Sequence, residues 1–154
     1  MPNTNDLLYE YSTQVTAISG TANVAAAGFN GSAEVVAMNS ANHYNMPLAD
    51  GALFISLSTS VSSASNFVNL YRRDINIDGT GDSPLPQSAA PAYSNLFVGA
   101  FLVPPFTATS TAYLALTDIP LTLDCEFYIE NKTNATIVQP FTLKLKPKTF
   151  VPSP

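Results

Sequence analysis

Reactive side chains are scarce in this chain. Its 154 residues include one histidine (His43), one cysteine (Cys125) and no tryptophan, and only 11% are charged. A single cysteine excludes an intrachain disulfide framework. His43 sits in a polar loop beside Tyr44, with no nucleophile or orienting acid in its neighbourhood, so no catalytic triad can be read from it. The net charge of −5 leaves no basic stripe of the kind that neutralises phosphates, which argues against nucleic-acid binding. No apolar run approaches the roughly 20 residues of a membrane helix. The opening Met-Pro-Asn-Thr-Asn-Asp has neither a basic nor an apolar segment of a signal peptide, so a soluble protein outside the ordinary secretory route is expected. The sequons at Asn30, Asn131 and Asn134 then read as accidents of composition.

What is present is a β pattern. Hydrophobic residues make up 46%, enough for one continuous core in a single domain of this length. Residues 8–17 alternate, with Tyr9, Tyr11, Thr13, Val15 and Ala17 on one face. A short strand is expected at 35–38, a loop at 39–51, and a half-buried strand carrying Leu53, Ile55, Leu57, Thr59 and Val61 on its inner face. Further strands are expected at 66–77 and 112–116. The run 96–103 is apolar on both faces and is placed mid-sandwich or at a subunit contact. Leu121, Leu123, Cys125, Phe127 and Ile129 alternate with Thr122, Asp124, Glu126, Tyr128 and Glu130. A last strand sets Phe141, Leu143 and Leu145 against Lys144 and Lys146. These lysines are expected to pair with the preceding acidic face, each pair contributing about 0.2–1 kcal/mol. The seven tyrosines and nine phenylalanines are read as core packing.

Seven or eight short strands with Gly, Pro and Asn turns imply an all-β, single-domain β-sandwich, of which the jelly roll is one topology; the pattern gives the class and not the strand order. Residues 1–7 read as an N-terminal arm, 8–146 as the sandwich, and 147–154, with Pro147, Pro152 and Pro154, as an extended C-terminal tail. Residues 78–94 form a long loop of the length usually kept for function or interfaces.

Asp74, Asn76, Asp78 and Gly79 match the opening of a calcium loop, but the twelfth position is Leu85 where a bidentate Glu is needed. A strand end running into an Asp-Gly turn accounts for segment 74–82 equally well. Arg72 and Arg73 have Asp74 and Asp78 as nearer partners than any ligand phosphate. Asp124, Glu126 and Glu130 alternate on one strand face and read as solvated acids rather than a glycosidase pair. Cys125 reads as a small buried hydrophobe. No catalytic, cofactor-binding or metal-binding residue is assigned, and no cofactor is expected. The first 71 residues carry four acids (Asp6, Glu10, Glu34, Asp50) and no Lys or Arg, a weakly anionic surface suited to packing against neighbours.

Four segments carry a resemblance: NLYRRDINIDG at 69–79, FVGAFLV at 97–103, TDIPLTLDCEFYIEN at 117–131 and LKLKP at 143–147. Together they resemble a group of small tailed-bacteriophage virion proteins, over roughly residues 66–147. Such proteins are similar to capsid decoration, or cementing, proteins. The resemblance implies a non-enzymatic β-sandwich on the capsid exterior, made in the host cytoplasm. It would bind the major capsid protein and further copies of itself as a dimer or trimer, with no nucleic-acid or membrane partner. Cementing of this kind needs an interface on the order of 1,200–2,000 Å², for which the arm, the 78–94 loop and the tail are the natural elements. The rival readings are a tail- or fibre-associated carbohydrate-binding module, which should show exposed aromatics with acids, a calcium-dependent lectin-like module, and an enzyme.

Overall fold

The computed structural model describes residues 7–30, 35–36, 46–62, 66–75, 85–86, 96–105, 107–108, 110–121 and 124–152. Their regular structure is strand: β1 (Leu7–Tyr11), β2 (Val15–Gly20), β3 (Val35–Val36), β4 (Leu48–Leu57), β5 (Asn66–Asp74), β6 (Phe97–Val103), β7 (Thr111–Pro120), β8 (Cys125–Asn131) and β9 (Ile137–Pro152). They form an all-β sandwich of two antiparallel sheets. One has the order β1–β9–β4–β7, with β2 also on β9; the other has the order β3–β8–β5–β6.

The core lies between the sheets and follows the two-residue period of the strands. β4 alternates without a fault over ten residues, burying Ala49, Leu53, Ile55 and Leu57. β9 supplies Ile137, Phe141, Leu143 and Leu145 to the same layer. The facing sheet contributes Val68 and Leu70, Phe101 and Val103, and Cys125, Phe127 and Ile129. Burial of each large apolar side chain stabilises by about 1.5–3 kcal/mol.

Several sequence expectations change. The strand expected over 8–17 is broken after Tyr11, where the Ser12 N–H donates to the Pro147 carbonyl at 2.9 Å. A register shift between Thr16 and Ile18 then buries Ala17 and Ile18 together, while Tyr9 and Tyr11 face outward. β1 and β2 thus run along one edge of β9 as a single interrupted strand. The expected loop 39–51 ends early, because β4 starts at Leu48; residues 39–45, with His43, lie outside the described residues. The run at 96–103 is an edge strand rather than a central one, and its Phe97 and Leu102 are exposed.

The 147–154 tail is corrected in the same way. β9 continues through Pro152, and residues 148–152 pair with Tyr11–Leu7 in the register Tyr11↔Lys148 to Leu7↔Pro152. Proline-rich sequence suggests a tail outside the sheet, yet a strand accepts proline wherever the ladder asks only for its carbonyl. Pro147 meets that condition by accepting from Ser12. Leu7 of the expected arm belongs to the sheet, whereas residues 1–6 and 153–154 lie outside the described residues.

Candidate functional site

The outer face of the five-stranded sheet holds a concentrated polar cluster. Lys148 is 4% exposed, and its ammonium sits 2.6 Å from Asp50 Oδ1 and 2.8 Å from Asp118 Oδ1. Tyr11 donates its hydroxyl to Asp50 Oδ2 at 2.9 Å, and the Tyr9 ring centroid lies 4.5 Å from Lys148 Nζ. Four strands therefore meet at one lysine.

A bulge makes the arrangement possible. Ala49 pairs with Ile119 but Gly51 pairs with Leu116, so β7 carries one extra residue opposite β4. The extra residue is accommodated by Asp118, whose φ of 58° is left-handed. Asp tolerates that region better than most residues, and bulges re-aim side chains. Here the re-aimed side chain is the carboxylate that reaches Lys148.

The electrostatics follow from this geometry. Burial works against the charge on Lys148, but its hydrogen bonds to Asp118 and Asp50 outweigh it and hold the pKa above the ordinary lysine value. Burial likewise works against an ionised Asp50. Hydrogen bonds from Lys148, Tyr11 and the Asp118 backbone overcome it and lower the carboxyl pKa. Tyr11 is pushed up, first by its hydrogen bond to Asp50. Lys148, Asp50 and Tyr11 are thereby held in their ordinary charge states, which suits a clasp rather than proton transfer.

The second face belongs to β5 and β8. Glu130, only 6% exposed, accepts from Asn69 Nδ2 and Tyr71 OH, both at 2.9 Å, and pairs with Lys132 at 2.6 Å. Burial opposes its charge, and the hydrogen bonds from Lys132, Asn69 and Tyr71 win, lowering its pKa. Glu126 accepts from Arg73 at 3.0 Å and from Tyr128 OH at 2.8 Å, and burial with that bond pushes the Tyr128 hydroxyl to about 12. The sequence reading of a solvated acidic face is therefore corrected. These acids are satisfied by neighbours on their own sheet, whereas Lys144 and Lys146 lie on β9 in the other sheet, 5.8 Å and 5.0 Å from the ring centroids of Phe54 and Tyr11.

Arg72 lines a small cleft with Asp74, Leu96, Phe97, Val98 and Pro120. Its guanidinium is already engaged, donating to the Pro120 carbonyl at 2.9 Å and pairing with Asp74 at 2.8 Å. Asp74 is thus occupied by arginine at the head of the calcium-like segment; residues 76–82 lie outside the described residues. Among the described residues no group of three or more His, Cys, Asp and Glu is placed to share a metal ion. Cys125 is fully buried, and desolvation raises its thiol to about 12, well away from a reactive thiolate.

Asn131, which the sequence presents only as part of a sequon, is a structural hub. Its amide donates to the Val24 and Ala135 carbonyls at 2.9 and 2.8 Å, and its oxygen accepts from the Thr133 N–H and hydroxyl at 3.0 and 2.7 Å. Its side chain is wholly enclosed, so this sequon presents no amide to a glycosylating enzyme. The reading of all aromatics as core is also corrected: Tyr9, Tyr11, Phe67, Phe97, Tyr113 and Phe150 are exposed. No protein family, curated protein or solved structure matches the chain.

Proposed function

We propose that this chain is a non-enzymatic virion structural protein, a capsid decoration or cement protein that binds the outer head shell and strengthens contacts between major capsid subunits. It would act there as a homo-oligomer. The observation that carries the reading is strand order. With β1 and β2 taken as one interrupted strand, the pairs β1/β2 with β9, β4 with β7, β3 with β8, and β5 with β6 are nested in sequence. Nested pairs are what a long hairpin leaves when it rolls into two sheets, and that order supports the jelly roll. Jelly rolls recur in viral capsid and lectin domains, so fold analogy raises this reading without assigning it.

One observation favours the rival, a tail- or fibre-associated carbohydrate-binding module. Tyr9, Tyr11 and Phe150 stand exposed in a cluster, with Tyr9 4.8 Å from Phe150 and 6.3 Å from Tyr11 between centroids, and the Asp118 carboxylate lies in the adjoining clasp. Copy number in purified particles separates the two. Quantitative mass spectrometry against the major capsid protein should give a near-stoichiometric ratio for decoration. A count of a few to a few dozen per particle would favour the tail module, and absence from particles would overturn both.

A further inference from the structure

Lysines at 144, 146 and 148 alternate on β9 and therefore project from one face of the sheet. They are half of the six basic residues in a chain of net charge −5. Lys148 is consumed by Asp50 and Asp118. Lys144 and Lys146 have no ion-pair partner among the described residues and rest instead against Phe54 and Tyr11. Tyr113, 64% exposed, extends the aromatic row by meeting Phe54 edge-on at 5.2 Å. Cation–π contacts at exposed sites contribute only about 0.5–1 kcal/mol, so folding gives little reason to place Lys144, opposite Ala52 and Thr16, without an ion pair here. The outer face of the other sheet differs: its basic groups are neutralised in place, Arg73 by Glu126 and Lys132 by Glu130. Its exposed Phe67 and Leu102 carry no charge that would identify an occupant.

We infer that the outer face of the five-stranded sheet is the docking surface for the shell, and that it receives an acidic segment of the capsid subunit. This rests on the decoration reading. Tyrosine and phenylalanine supply the contact area that interface centres favour. The two lysines select a partner of opposite sign and speed its encounter. Tyr113 and Phe54 form an apolar floor beside Lys144, and Lys146 lies further along β9 over Tyr11.

The test is a binding titration of the full chain onto shells assembled without it. Wild type is compared with the double variant Lys144→Glu/Lys146→Glu, with Tyr113→Ala, and with Leu102→Ser on the other sheet, all first shown to melt like wild type. The double charge reversal is expected to weaken binding by at least about tenfold, Tyr113→Ala to weaken it severalfold, and Leu102→Ser to leave it unchanged. Unchanged binding by the double variant, or loss confined to Leu102→Ser, would overturn the face assignment while leaving decoration intact. Lysine-dependent binding of an anionic polysaccharide in place of the shell would overturn the acidic-peptide occupant. Wild type that binds no shell would remove the decoration reading and this inference with it.

Discussion

Gly20 and Lys148 show how much a single residue carries. Gly20 lies at the end of β2 opposite Phe141, and a Cβ at that position would be driven into the buried Phe141 ring. Overpacking of that kind costs about 1–3 kcal/mol. Gly20→Ala should therefore lower the urea midpoint without changing the slope of the transition. At Lys148, the isosteric change Lys148→Met keeps the volume but leaves Asp50 and Asp118 facing each other without a cation. Complete burial would make that loss severe, but Asp118 is largely exposed and water screens part of the repulsion. A loss of about 1–3 kcal/mol is expected in equilibrium unfolding. Restoring one charge balance with Asp118→Asn in the same background should recover part of it. A double variant no more stable than the single one would show that the two carboxylates do not interact.

Elements differ in how far their sequences announce them. β4 and β8 were legible because their inner faces hold apolar residues at every second position, from Leu53 to Leu57 and from Cys125 to Ile129. β1 and β2 were legible as strand but not in their facing. The bulge that buries both Ala17 and Ile18 is set by pairing with β9, more than a hundred residues away in the chain. The full length of β9 was hidden by Pro147, whose fit depends on its carbonyl being the group the neighbouring strand uses. The clasp was illegible for the same reason: Asp50, Asp118 and Lys148 carry no local motif and meet only through register and a bulge. Among the described residues, the segment of β9 beyond Lys148 has only β1 as partner, while its earlier part lies between two strands. Amides of the β1–β9 ribbon should accordingly exchange with deuterium well before those of β5 and β8, which lie inside their sheet. Equal protection in the two regions would contradict this.

For the whole molecule, the paired charges set the pH range of stability. Asp50 and Glu130 are held below their ordinary values of 3.8 and 4.5. The stability they contribute is present above those values and is lost as pH falls through the lower folded-state pKa values. Lys148 is held above 10.5, so its contribution is complete below 10.5 and is lost only as pH rises through the higher folded value. The thermal midpoint should form a plateau from about pH 5 to about pH 10, with an acid limb that Glu130→Gln makes shallower. A midpoint already falling at neutral pH would contradict this assignment.

The pairing of Leu7 with Pro152 has a mechanical consequence. A load applied across these two positions acts at right angles to the antiparallel ribbon, at the point where its ladder begins. The hydrogen bonds then break one after another, as in a zipper, rather than sharing the force in shear. Under tension β1 should peel from β9 as far as the Tyr11–Asp50 contact before the sandwich is disturbed. The clasp would be the first point at which the force meets resistance from four strands together.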